Sequence, residues 1–280
     1  MKKLFLLAGA FVLSFSLQGQ MQTPAPSPFS KIEQKVGLTD VTVEYSRPSM
    51  KGRTIFGELV PYDQLWRTGA NARTKITFSD DIKFGGTDVK AGSYGLLTKP
   101  GISSWDVILY EEANGGGLPG EWDDAKVAAK VSAQVNALPW DVETFTIVIG
   151  ELSNTGASLG FFWEKSSVMV PFEVPTDALA TKSIEAVMAG PTGGDYFSAA
   201  SYYLETGKDL EKAKEWIDKA VEMNENAFWM MRVQSLIYAK TGDTKGAIEA
   251  AKRSLEVAKK AGNDDYVRMN TASLKEWGAM

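Results

Sequence analysis

The 280-residue chain contains no cysteine and no histidine. Without imidazole there is no Ser-His-Asp or Cys-His nucleophile, and no histidine ligand for zinc or haem. Without thiols there is no disulfide, so stability has to come from packing alone. The chain also lacks an apolar run of the roughly 20 residues that a membrane-spanning helix requires. Basic residues are the minority, 30 Lys and Arg against 35 Asp and Glu, and the segments before and after Asp177 are each net acidic. Nucleic acid is therefore not an expected partner. What is present is apolar and aromatic: 44% hydrophobic residues with 8 Trp, 13 Phe and 9 Tyr, enough to build sizeable cores. Arg, Trp and carboxylates remain for function, a set that favours recognition over reaction. No catalytic residue, metal site or cofactor is assigned.

Lys2 and Lys3 precede an apolar stretch from Leu4 to Leu17, which gives way to Gln18, Gly19 and Gln20. A charged start, a short apolar run and a small polar end form the layout of a secretory signal peptide, read as residues 1–20 with cleavage near Gly19 or Gln20. The expected product is exported, periplasmic or extracellular, and soluble. No cysteine ends the run to carry a lipid, and no membrane span is expected after cleavage. Residues 21–29 include Thr23-Pro24-Ala25-Pro26-Ser27-Pro28 and read as an extended tether, because proline disfavours helix and strand alike.

Residues 30–176 read in period two. Val41 to Tyr45, Thr74 to Phe78, Trp105 to Tyr110, Thr144 to Ile149, Ser158 to Trp163 and Val168 to Phe172 are β-branched or aromatic runs bounded by turn formers such as Gly85-Gly86 and Lys99-Pro100-Gly101. Many short strands with such turns predict an antiparallel β-sandwich. Its expected core is Val43, Tyr45, Ile76, Phe78, Val107, Leu109, Phe145, Ile147, Ile149, Leu159, Phe161, Trp163, Val168, Val170 and Phe172.

Residues 177–194 read as a linker, and residues 195–280 as helical. Ala213, Ile217 and Ala220 share one helical face, which recurs after 34 residues as Ala247, Ala251 and Ser254. Thr206-Gly207 and Thr241-Gly242 each suit a tight turn before a second helix. A period of 34 with small residues at a helix crossing resembles the tetratricopeptide repeat, and a plain pair of helical hairpins gives the same pattern. A last helix, Asp264 to Trp277, covers the end. The fold class is thus α+β and multidomain, an antiparallel β-sandwich followed by an α-helical hairpin repeat.

The segment from Tyr45 to Asn71, YSRPSMKGRTIFGELVPYDQLWRTGAN, is unlike ordinary strand sequence. With Ala91 to Leu96 and Trp163 to Lys165 it resembles a bacterial family of exported proteins, the domain of unknown function 2911. Its members share an SRPS-x-KGR-x-IFG segment (here Ser46 to Gly57), a WRTGAN segment (Trp66 to Asn71), an AG-x-Y-x-L strand and a late WEK segment. The resemblance covers about Ser30 to Pro175 and implies no activity.

From Glu44 to Lys75, around this segment, the chain is locally basic, with six Lys or Arg against three acids. Arginine offers planar, multiply donating recognition of carboxylate, phosphate or sulfate, and stacks on aromatic rings. Arg47, Arg53, Trp66, Arg67 and Asn71 are accordingly the candidate ligand-binding residues, for an anionic or glycan ligand on the sandwich. The competing reading is that these side chains satisfy loop carbonyls and Trp66 fills the core. Gly115-Gly116-Gly117 reads as a flexible hairpin loop, and Asp80-Asp81 and Glu121 to Asp124 as solvated turns. The expected function is that of an exported, non-catalytic binding or scaffold protein, with a protein or peptide docking on the helical tail. A carboxylate-dependent glycan hydrolase and a purely structural envelope protein are the alternatives.

Overall fold

A computed structural model describes residues 23–188 and 190–280; the segment read as a signal peptide lies outside the described residues. Two compact units divide between Val174 and Pro175.

Among the described residues the first unit has nine strands: β1 (Phe29–Val36), β2 (Thr39–Ser46), β3 (Ala70–Phe78), β4 (Ile82–Phe84), β5 (Thr87–Val89), β6 (Gly92–Pro100), β7 (Ser104–Tyr110), β8 (Val127–Gly150) and β9 (Gly156–Glu173). All pairings are antiparallel, in the order β1-β2-β3-β6-β7-β8-β9-β4-β5. Residues 30–35, inside the period-two region but not among its clearest runs, form β1, which begins at Phe29 in the segment read as a tether. Strand β8 is 24 residues long: its first part pairs with β7, and the stretch from Val135 to Gly150 pairs with β9.

Strands that do not pair with each other in that order face each other. Tyr45 of β2 meets Phe145 of β8 at 5.9 Å between ring centroids, Phe78 of β3 meets Phe172 of β9 at 5.9 Å, and Trp105 of β7 meets Phe161 of β9 at 6.1 Å. The sheet is therefore folded over on itself into two layers with β8 as the shared strand, which is the antiparallel sandwich the periodicity implies. Period-two alternation sends Val43, Ile76, Phe78, Val107, Leu109, Phe145, Ile147, Leu159, Phe161, Val168, Val170 and Phe172 into the gap between layers, all buried; Ile149 is half-buried at the rim. Each buried ring removes about 150–250 Å² from water, roughly 4–6 kcal/mol of transfer free energy at 25 cal/mol/Å². That is how the fold dispenses with covalent bridges.

Among the described residues the second unit contains six helices: α1 (Thr176–Val187), α2 (Gly193–Thr206), α3 (Leu210–Met223), α4 (Phe228–Lys240), α5 (Thr244–Lys260) and α6 (Asp264–Glu276). The segment read as a linker is helical over α1. Helices α2 and α3 form one hairpin and α4 and α5 a second, with α4 also against α2 and α6 against both α4 and α5. Ala213, Ile217, Ala220, Ala247, Ala251 and Ser254 are all fully buried, so residues 34 apart lie on equivalent buried faces of α3 and α5. The turns form as the sequence implies. Gly207 and Gly242 have φ of 69° and 83°, a region open to glycine. Asp209 and Asp243 then accept the Lys212 and Gly246 backbone N–H groups as N-caps of α3 and α5.

Candidate functional site

The five sequence candidates do not converge on a cavity. Arg47 Nε donates to the Phe145 carbonyl at 3.0 Å and its Nη2 to Thr146 Oγ1 at 2.6 Å. Arg53 Nε and Nη2 donate to the Met50 and Ser49 carbonyls. Asn71 Nδ2 donates to the Ser27 carbonyl at 3.2 Å. Trp66 stacks on Trp163 at 5.7 Å and 17°, touches Phe145 and Trp105 edge-on, and donates Nε1–H to the Gly69 carbonyl. Arg67 stands apart: its Nε is buried with no hydrogen-bond partner among the described residues. Three of the five side chains thus brace carbonyls and one fills the core, as loop backbone buried against a sandwich demands.

The motif segments in fact hold one another. After β2 the chain lies along β8: Met50 N–H donates to the Glu143 carbonyl, Phe145 N–H to the Pro48 carbonyl, and Lys51 N–H to the Glu143 carboxylate. Trp163 Nε1–H takes the Glu143 carbonyl as well. Its neighbour Glu164 accepts the backbone N–H groups of Ile55 and Phe56. Thr68, Gly69 and Asn71 all have positive φ, which forms the sharp corner leading into β3, and the buried Thr68 and Thr74 hydroxyls bond across that corner.

A different part of this unit carries an open site. The β7–β8 connection, residues 111–126, lies over the outer face of β3, β6 and β7. It is pinned at one end by Arg73, a residue whose side chain is only 3% exposed. Arg73 Nε donates to the Gly117 carbonyl at 2.8 Å, Nη1 to the Glu112 carbonyl at 2.5 Å, and its backbone N–H to the Gly115 carbonyl. Close approach explains the glycines: a Cβ on Gly95 would lie 2.7 Å from Arg73 Cδ, and one on Gly115 would lie 3.0 Å from Nη2. Glu112 Oε1 accepts from Lys126 at 2.6 Å, and this bond, with the neighbouring Lys126 and Arg73 charges, holds the carboxyl below the usual carboxylate range.

At the other end Trp122 stacks on Tyr110 at 4.8 Å and 22°, and its Nε1–H donates to Asp124 at 2.7 Å. The indole remains 42% exposed. It borders an open groove of about 620 Å³ with an apolar floor that includes Leu65, Ile108 and Val127 and a rim of Asp63, Lys99, Asp106, Asp124 and Lys130. Lys130 and Asp106 form an ion pair at 2.8 Å. The apolar floor belongs to a second small cluster, Leu97, Ile108 and Tyr110, on the outer face of the sheet. Such an amphipathic groove is suited to a ligand with both C–H faces and hydroxyl groups. Sequence reasoning read this loop as flexible and its acids as solvated turns. The signal available was Tyr110 and Trp122 flanking a glycine run, with an unassigned arginine at 73.

No group of three or more Asp or Glu residues among the described residues is placed to hold a metal ion. Asp81 of the Asp80-Asp81 pair accepts from the Ala91 N–H and from Lys90.

Comparison with known proteins places this architecture. A family model described as a protein of unknown function (DUF2911) matches residues 27–172, slightly more than half of the chain. The chain belongs to the DUF2911 family. The match ends within β9, so the DUF2911 segment is the sheet unit and the helices lie outside it. Both the motif network and the Trp122 groove therefore fall within the DUF2911 region. No functionally curated protein matches the chain. A solution structure of the Bordetella parapertussis protein BPP2914 is similar over 35% of this chain and 86% of its own, at 19% identity and a TM-score of 0.32, too low to bear on fold or function.

The helical unit has a groove of its own, about 660 Å³, between α3, α4 and α5. Its floor includes buried Gln234, which donates to Asp218 and accepts from Arg253, each at 2.7 Å. Tyr238 also donates to Asp218. Burial and that carboxylate raise the Tyr238 phenol to about 12. Among the described residues no helix is long and apolar enough to cross a membrane.

Proposed function

We propose that this is an exported, non-catalytic binding protein whose sheet unit holds a saccharide on the Trp122 groove. The observation that carries the reading is the Trp122 ring, fixed by Tyr110 behind it and Asp124 at its edge yet left open beside a rim of carboxylates and ammonium groups. A sugar ring lays its C–H face on such an indole, and its hydroxyls both donate to carboxylates and accept from lysines. Fixing the ring beforehand removes ordering entropy from the binding step. Titration with soluble β-1,4-linked glucose and N-acetylglucosamine oligomers, followed by tryptophan fluorescence, tests this. Saturable binding that Trp122→Ala abolishes at unchanged melting temperature is expected; no saturable change, or equal affinity in the variant, overturns it.

Export is supported by the arrangement of residues 2–20. The helical unit is read as the region that docks a protein or peptide, supported by the groove lined by Asp218, Gln234 and Arg253. A photo-crosslinker at Glu222 on its rim is expected to trap adducts in envelope extracts, and a lack of adducts counts against docking there. Hydrolysis is the second reading, favoured by three aspartates on one groove. Asp106 and Asp124 are engaged by Lys130 and Trp122, which leaves Asp63 as its testable residue. Release of reducing ends that Asp63→Asn eliminates would establish it, and intact oligomers after long incubation would dismiss it.

A further inference from the structure

Beneath the other end of the 111–126 connection lies a second, smaller cavity of about 150 Å³, bordered by Tyr45, Arg73, Lys75, Glu44, Asn114 and Gly115. We propose that this cavity is a binding site for a compact oxyanion: a carboxylate, phosphate or sulfate group.

The first argument is donor bookkeeping. A guanidinium carries five N–H donors and no acceptor. In Arg73, Nε is spent on the Gly117 carbonyl and Nη1 on the Glu112 carbonyl. Nη2 makes no hydrogen bond to any described residue, and it lies against Gly115 on the cavity wall. The side chain is only 3% exposed, and the cavity beside Gly115 is where a ligand reaches Nη2.

Charge gives the second argument. Three cations, Arg73, Lys75 and Lys126, share two carboxylates: Lys75 is 2.5 Å from Glu44, while Glu112 holds Lys126 at 2.6 Å and reaches Arg73 only at 3.7 Å. The most buried of the three, Arg73, thus has the most distant carboxylate, and a buried charge so weakly paired is costly. A bound oxyanion removes that imbalance, and Arg is the side chain whose planar donors match one.

Size supplies the third. The space admits a single tetrahedral or carboxylate group with some water; it is too small for a sugar ring or nucleotide, whose pockets run from about 300 Å³ upward. The bare Cα of Gly115 leaves Nη2 accessible, since a side chain there would press on it. This site is independent of the Trp122 groove: it shares no lining residue with it.

The test titrates the exported form of the whole chain with inorganic phosphate, sulfate and acetate in turn, reading the Gly115 amide and Arg73 Nε–H signals by two-dimensional NMR. The three anions separate a preference for phosphate or sulfate from one for carboxylate. Saturable shifts at both signals are expected, with affinity about tenfold weaker in Lys75→Met. That variant removes a partly exposed side chain, so it tests the site without uncovering Arg73. Arg73→Met adds a second arm: if folded, it binds none of the anions. The absence of saturable binding to the native chain, or binding that leaves Gly115 and Arg73 unmoved, or affinity equal in Lys75→Met, overturns the proposal.

Discussion

The carboxylate of Glu164 accepts the backbone N–H of Ile55 at 3.1 Å across 109 residues of sequence. It also takes the Phe56 N–H at 3.4 Å and does so from a backbone φ of 52°, which non-glycine residues seldom adopt. An acid in that conformation persists because two otherwise orphaned donors depend on it.

Glu164→Gln keeps the length and the φ but replaces a charged acceptor by a neutral one. Hydrogen bonds to charged groups contribute about 1.5–3 kcal/mol against about 1 for neutral ones. A loss of about 1 kcal/mol is expected in urea unfolding of the whole chain, read on the tryptophan signal of the sheet unit. An unchanged midpoint would remove the cap from the account.

Trp66 packs at the centre of a four-ring cluster with Trp105, Phe145 and Trp163. Trp66→Ala is expected to cost about 3–5 kcal/mol by the cavity it leaves. A ligand contact on an open surface would leave melting unchanged, so calorimetry alone decides between the two roles.

The Tyr238 phenol is raised to about 12, by burial first and the Asp218 carboxylate second. A raised folded value means that the folded state holds the proton more tightly than the unfolded chain, whose tyrosines titrate near about 10. The resulting stability is complete below about pH 10 and is lost as pH rises from there towards 12. Tyr238→Phe should flatten that part of the stability curve of the helical unit, whatever its offset at neutral pH. An identical slope in both proteins would contradict the assignment.

Residues 1–20 read as a signal peptide. Mass spectrometry of the protein recovered from the cell envelope or medium is expected to show an N-terminus near Gln20 or Met21. A chain retained in the cytoplasm with Met1 intact would refute export.

The sandwich was legible because alternation is a local signal: Val43-Thr42-Val41 and Phe145 to Ile149 announce which face is buried without knowledge of partners. The helix crossings were legible for a similar reason, since only small residues such as Ala213 and Ala247 fit there. Strand β1 was not legible, because Lys31, Glu33 and Lys35 alternate with only a half-buried Ile32 and a buried Val36 as inward apolar residues, the pattern of a charged edge. What the candidate side chains bond to was not legible for a deeper reason. Arginine composition around Arg47 and Arg53 is the same whether the side chains meet a ligand or a carbonyl, and only the fold distinguishes these. Arg73 and Trp122 come together on one loop through β-pairing that no short window of sequence encodes.

The order of strands has a kinetic consequence. Strand β2 and its continuation close against β8 and β9, about a hundred residues later in the chain, whereas each helix of the second unit packs mainly on its sequence neighbours. Chain-entropy cost falls on non-local pairing, so the helical hairpins are expected to form early and independently. The sheet unit cannot complete its closure until β9 has been made, and a chain that crosses a membrane unfolded would therefore emerge with Ile55 waiting for Glu164.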